Sequence, residues 1–218
     1  MAAAAAASGV KTLIHMSNLG ADPKAESASA RSRAAGDAAV FAAFPEAIVI
    51  RPSILFGPGD GFFNLLGTLA RVSPILPLIG GNSKFQPVYV KDVAQAFVAA
   101  VNGAVKTGRI YELGGPDVET YKALTQRVLR DTGRSNALLP LSPGLAKLLA
   151  APMGLLPTPL LTGDQVVQLQ SDSVVSDEAV REKRTLAAFG VTPTPMEAVL
   201  PSYLWRFRKN GQFDRQTA

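Results

Sequence analysis

Apolar positions along the chain come in two spacings: short β-branched runs that suit strands, and longer stretches repeating every three to four residues that suit helices. The run Ala47-Ile48-Val49-Ile50 has the composition of a strand buried on both faces of a parallel sheet. Pro52 and the cluster Gly57-Pro58-Gly59-Asp60-Gly61 then remove backbone donors and permit positive φ, so the strand must leave the sheet there. In open α/β sheets the ligand crevice lies just beyond the carboxyl ends of the strands, which makes residues 51–57 the first candidate for a site. An ordinary strand-to-loop exit would use the same residues.

The pattern alternates on either side. Upstream, an alanine run over 2–7 closed by Gly9 predicts a short helix, 11–16 a strand, 17–24 a polar loop, and 26–44 an alanine-rich helix stopped by Pro45. Downstream, 62–72 predicts a helix and 74–81 an apolar loop too proline-rich to be one. Residues 85–90 read as a short extended segment, 93–101 as a helix with Asp92 at its positive end, and 108–113 as a strand ended by Gly114-Gly115-Pro116. An amphipathic helix over 119–132 has Thr120 near its start. Further helices are predicted over 143–153, 162–170, 181–190 and 195–208, the last packing Leu200, Tyr203, Leu204 and Phe207 on one side. Strands spaced by helices predict an α/β sheet, and the helix-rich remainder a smaller second lobe.

Composition narrows the chemistry. At 218 residues, with 47% hydrophobic and 18% charged, the chain is globular and long enough for a sizeable core. The net charge of +5 is spread along the chain, densest at Arg206, Arg208 and Lys209, and no aromatic and basic motif of a nucleic-acid binder accompanies it. The chain has no cysteine and one histidine, which excludes thiol chemistry and leaves no clustered metal ligands. His15, closing an apolar strand, reads as a satisfied structural residue. There is no G-x-S-x-G elbow. The Gly57–Gly61 cluster follows a strand and precedes a helix, yet its third glycine is wrongly spaced and Pro58 occupies the tight turn, so it reads as a turn and not a phosphate cradle. Residues 144–161 carry Lys147 and three prolines, so no transmembrane helix is expected, and the uncharged first ten residues show no recognisable import signal.

Three runs together carry a resemblance: Phe44-Pro45-Glu46-Ala47 through Arg51-Pro52-Ser53-Ile54-Leu55-Phe56-Gly57, then Gln86-Pro87-Val88-Tyr89-Val90-x-Asp92-Val93, then Tyr111-Glu112-Leu113-Gly114-Gly115-Pro116. From about Gly9 to Phe213 the chain resembles the later half of the atypical, extended short-chain dehydrogenase/reductase family. Within that family it is similar to the NAD(P)H-binding accessory subunits of respiratory complex I, as is its tail Leu200-Pro201-Ser202-Tyr203-Leu204-Trp205-Arg206. The resemblance implies part of a Rossmann-type doubly wound parallel sheet over 1–118 and a smaller helix-rich lobe over 119–218, partly interwoven with it. It also implies that the Gly-rich βαβ unit that holds a pyrophosphate is not in this sequence. Either the start has been lost, or a separate polypeptide completes the sheet; a sheet missing strands would expose apolar edges.

Enzymes of the family use Tyr-x-x-x-Lys, the lysine lowering the tyrosine pKa so that the phenol can pass a proton as hydride moves. In the matching register, Ser29 holds the tyrosine position and Arg33 the lysine position, and none of the four tyrosines has a lysine four residues later. A serine hydroxyl titrates far too high to replace a phenol, and a guanidinium cannot give up its proton. The resemblance therefore implies a non-catalytic accessory subunit of mitochondrial NADH:ubiquinone oxidoreductase, complex I, on the matrix side of the inner membrane or its bacterial counterpart. Its partners would be other complex I subunits at the junction of the peripheral and membrane arms, and NADPH would be a structural ligand. By carry-over Ser17, Arg33, Pro52, Ser53, Ile54 and Leu55 would face the nicotinamide. As plain structure, Ser17 would cap a loop, Arg33 would be a solvated helix charge and Ser53 a turn residue. A stand-alone NADPH-dependent reductase or epimerase, and a protein-binding module without cofactor, are the alternatives.

Overall fold

A computed structural model describes residues 1–142, 144–146, 148 and 162–213. In chain order the elements are α1 (Ala2–Ala7), β1 (Ile14–Met16), α2 (Ala28–Ala43), β2 (Ile48–Pro52), β3 (Leu55–Phe56), α3 (Phe62–Val72), β4 (Ile75–Ile79), β5 (Lys84–Phe85), β6 (Val88–Tyr89), α4 (Val90–Val101), β7 (Arg109–Leu113), β8 (Glu119–Thr120), α5 (Tyr121–Asp131) and β9 (Ala137–Leu141). This is the α/β class that the alternating pattern predicts. The chain divides into two compact units: Met1–Ile54 with Gln86–Pro116 and Ser173–Thr194, and Leu55–Phe85 with Asp117–Asp172 and Pro195–Ala218.

The first unit is built on a parallel sheet of order β1-β2-β7, with Ile14 opposite Ile48 and Ile48 opposite Arg109. Central β2 is the β-branched run of the sequence, and Ile48, Val49 and Ile50 are buried, as a strand covered on both faces requires. Side chains alternate between faces. His15, Val49 and Arg51 point towards α2, while Tyr111 on the other face meets Phe189 edge-on, with ring centroids 5.0 Å apart. Helix α2 starts where the Ser27 hydroxyl accepts the Ala30 N–H, and ends at Phe44 ahead of Pro45. Helix α4 is held by Asp92, whose buried carboxylate accepts both the N–H (2.6 Å) and the hydroxyl (2.9 Å) of Thr194. Asp92 thus does more than complement a helix end: it ties the last segment of this unit to the helix.

The single helix expected over 181–190 is instead a helix over Asp177–Arg181 and a 3-10 turn over Leu186–Phe189. The break comes at Lys183, whose φ of 55° is left-handed, and it lets Arg184 turn back onto β7. Gly190 closes the turn at φ 70°, as the sequence suggests.

In the second unit, residues 74–81 do not form the expected loop. They contain β4, which pairs in parallel with β9 from Ile75 opposite Ala137 to Ile79 opposite Leu141. In a two-stranded sheet every strand has an unpaired side, so Pro77 and Pro140, which lack an N–H, can be accommodated. The core gathers Phe63, Phe85, Tyr121 and Leu124, with Phe62 edge-on to Phe63 at 5.1 Å. The helix expected over 195–208 is three short pieces, Met196–Val199, Pro201–Leu204 and the 3-10 turn Trp205–Phe207, because Pro201 interrupts the hydrogen-bond ladder. Its apolar side still packs inward: Leu200, Tyr203, Leu204 and Phe207 are buried, and a Cβ on Gly67 of α3 would come within 2.6 Å of the Phe207 ring. The helix expected over 143–153 falls largely outside the described residues. Helix Gly163–Gln168 begins with a capping box between Thr162 and Gln165.

Candidate functional site

The carboxyl ends of β1, β2 and β7 bring four of the candidate residues together. Ser17 leaves β1 with its N–H donating to the Ile50 carbonyl at 2.8 Å, and the Pro52 carbonyl accepts the Leu19 N–H at 2.9 Å. Ser53 is buried; its N–H donates to the Leu113 carbonyl at 2.9 Å and its hydroxyl to the Ser173 carbonyl at 3.0 Å. The Ile54 carbonyl accepts the Val88 N–H at 2.9 Å. Arg33 stands exposed on α2, and Leu55 belongs to β3 of the second unit.

The motif residues that carry the resemblance hold this region closed. Gln86 donates its N–H to the Ser173 carbonyl (3.1 Å) and its amide Nε2 to the Gly115 carbonyl (2.8 Å), while its Oε1 accepts the Val175 N–H (3.0 Å). The glycine pair is needed for close approach: a Cβ on Gly114 would lie 2.4 Å from Gln86 Cδ, and one on Gly115 2.1 Å from the Pro87 carbonyl oxygen. Ser173, which receives both the Ser53 hydroxyl and the Gln86 N–H, has no local signal in the sequence.

Below α2 lies a polar cluster. Asp37 is 3% exposed, and its Oδ2 accepts from Arg51 Nε at 2.9 Å and from the Ser17 hydroxyl at 3.1 Å, with Arg51 Nη2 at 2.8 Å. Its Oδ1 lies 3.2 Å from His15 Nε2 but has no hydrogen-bond partner of good geometry. Asp37 is the one acidic residue of α2 and stands four positions beyond the exposed Arg33, a spacing that suggests a surface pair and does not mark Asp37 as buried. Because the Ser17 proton is directed at Asp37, the Ser17 oxygen can serve an incoming ligand only as an acceptor. The Tyr111 hydroxyl, across the sheet, donates to the Lys106 carbonyl at 2.9 Å, and burial pushes its pKa up.

In the second unit Asp60 fills the N-terminus of α3. Its Oδ1 accepts the N–H groups of Phe63 (2.6 Å) and Asn64 (3.2 Å), and its Oδ2 accepts the Tyr203 hydroxyl (2.5 Å). A carboxylate therefore occupies the positive helix end that a phosphate would need, and the Gly57–Gly61 cluster is a turn, as expected. Arg206 lies 5.2 Å from the Phe207 ring centroid and donates to the Pro58 carbonyl at 2.9 Å and to Asn64, so the Tyr203-Leu204-Trp205-Arg206 tail is held by structural contacts. Among the described residues there is no group of potential metal ligands, and no helix is long and apolar enough to cross a membrane.

No family model matches the chain. It is 35% identical over 214 residues to the mitochondrial NADH dehydrogenase (ubiquinone) 1 alpha subcomplex subunit 9 of Arabidopsis thaliana, covering 93% of this chain and 52% of that protein. To the protein of the same name from Mus musculus it is 34% identical over 211 residues, covering 95% and 55%. The chain thus spans about half the length of the curated relatives it matches. Among solved structures, an NADPH-dependent quinone oxidoreductase of Escherichia coli complexed with NADPH superimposes with a TM-score of 0.72 at 19% identity, covering 94% of this chain and 69% of that one. Over nearly its whole length the chain is similar in sequence to the subunit 9 proteins of mitochondrial NADH dehydrogenase, and it shares the fold of the NADPH-bound quinone oxidoreductase.

Proposed function

We propose that this chain is a non-catalytic accessory subunit of NADH:ubiquinone oxidoreductase, complex I, stabilising the junction of the peripheral and membrane arms on the matrix side of the mitochondrial inner membrane. The observation that carries the reading is homology to the subunit 9 proteins over 93–95% of the chain. Ser29 and Arg33 add to it, since neither can pass the proton that a hydride transfer needs.

NADPH is a structural ligand in this reading. The residues present fit one end of it: Ser17, Ser53 and the backbone around Pro52 and Ile54 face the strand ends, and Arg33 supplies a cation on α2. They do not fit its phosphates, because the one Gly-rich turn before a helix is already filled by Asp60. That contact belongs to the Gly-rich half of the fold, carried by another chain or by a longer form of this one.

Native electrophoresis of solubilised membranes tests the reading: the chain should comigrate with complex I, and running only as a free monomer would sink the proposal. Denaturing the purified assembly should release NADPH, detectable by chromatography. Its absence would leave a protein-binding module. Turnover of NADPH with aldehydes or nucleotide sugars, abolished by Ser29→Ala, would make the chain an enzyme instead.

A further inference from the structure

The direction of each proton decides what a polar site can receive, and at the carboxyl ends of β1 and β2 the protons point inward. The Ser17 hydroxyl is fixed by its neighbour. Asp37 Oδ2 already receives Arg51 Nε at 2.9 Å, with Nη2 at 2.8 Å, and a guanidinium can only donate. That oxygen is therefore an acceptor, and the Ser17 hydroxyl, 3.1 Å away, directs its one proton to it. Ser17 Oγ keeps only its lone pairs for anything that enters from the strand ends.

The neighbouring groups follow the same pattern. The Ser17 N–H donates to the Ile50 carbonyl (2.8 Å), the Leu19 N–H donates to the Pro52 carbonyl (2.9 Å), and Pro52 itself has no N–H. Ser53, 2% exposed, gives its N–H to the Leu113 carbonyl (2.9 Å) and its hydroxyl proton to the Ser173 carbonyl (3.0 Å). Gln86 Nε2 donates to the Gly115 carbonyl at 2.8 Å. Arg33 is also a donor, but it stands on the exposed side of α2, where water competes for any carbonyl it meets.

We propose that Asp37 is a positioning residue that makes Ser17 a receptor for hydrogen-bond donors. The strand-end site then takes a ligand group that carries N–H or O–H, such as a carboxamide amino group or a hydroxyl, and discriminates against a bare carbonyl. A carbonyl oxygen set against Ser17 Oγ places two acceptors together and loses its hydrogen bond to water without replacement. Turning the Ser17 proton towards it would exchange a bond to a carboxylate for a weaker one to a neutral oxygen. A ketone or aldehyde therefore finds no polarising hydroxyl at Ser17, a barrier to reductase chemistry separate from the absence of a phenol at Ser29. The inference rests on the reading of NADPH as a structural ligand and names the kind of group that Ser17 selects.

NADPH and its reduced 3-acetylpyridine analogue test it. In the analogue a methyl replaces the carboxamide amino group, so the carbonyl stays and the donor goes. Purified complex I that contains the chain is incubated with an equimolar excess of both, desalted and denatured, and the released nucleotides are separated by chromatography. NADPH should exceed the analogue by about 10-fold, the effect of one hydrogen bond in a protected site. Ser17→Ala should bring the ratio close to one, and so should Asp37→Ala in a chain that still comigrates with complex I. Equal release from the unaltered assembly, or a preference for the analogue, would overturn the inference alone. So would a ratio that Ser17→Ala leaves unchanged. Release of neither nucleotide would overturn the cofactor reading and this inference with it.

Discussion

Asp37 holds Arg51 and Ser17 through one buried carboxylate oxygen, with His15 beside the other. Removing a single partner of such a pair strands the other charge in a poorly solvated place. Asp37→Ala is therefore expected to lower stability by about 3 kcal/mol, read as a shift in the urea midpoint of the purified chain. The low end of the usual range applies because Arg51 keeps 18% of its side chain exposed. The tyrosines set the alkaline limit. Burial pushes the Tyr121 phenol up to about 12, and burial and then the Asp60 carboxylate push Tyr203 up further. Between pH 10 and 12 the folded chain keeps protons that the unfolded chain loses. The stability these phenols contribute is complete below pH 10 and disappears as pH rises towards the folded values. Unfolding midpoints measured from pH 9 to 11.5 should fall, and Tyr121→Phe should flatten that slope. His15 lies beside Asp37, whose burial carries no signal in the sequence. The burial of an acid in an alanine-rich helix depends on what lies beneath the helix, which local spacing does not reveal.

At the level of elements, the Gly114-Gly115 turn connects motif and packing. A methyl at Gly115 would meet the backbone oxygen of Pro87, which cannot swing away, so Gly115→Ala should cost about 2–3 kcal/mol. Gly114→Ala would meet only the Gln86 side chain. It should cost less, roughly 1–2 kcal/mol, by loosening the Gln86 bonds to Gly115 and Val175. Thermal melts of the two variants would check the order. Helix α3 occupies the residues that its apolar spacing predicts, because its boundaries are set locally by Asp60 and by Ser73. Strand β4 was not legible, since its pairing with β9 depends on a segment far along the chain and its prolines argue locally for a loop. The expected helix over 195–208 was legible in its apolar face but not in its continuity, which Pro201 breaks.

For the whole molecule, each compact unit is assembled from three separate stretches of chain. Ser173, Arg184 and Thr194 close the first unit on Ser53, β7 and Asp92. A fragment of residues 1–118 lacks all three and is expected to show no cooperative thermal transition by circular dichroism. The isolated chain should show no shift in melting temperature with NADPH, because Asp60 fills the helix end that its phosphates would need, whereas the complex I assembly should retain the nucleotide. By itself the sequence determined the α/β class, a strand at the run Ala47–Ile50 and the turn character of the Gly57–Gly61 cluster. These follow from residue type and spacing within one or two turns of chain. Only the tertiary structure decided that Asp37 joins Ser17 and Arg51, that Gln86 and Ser173 close the strand ends, and that Arg184 covers the edge of β7. Those outcomes depend on which distant segments meet, and burial and hydrogen bonding between them leave no local trace in the sequence.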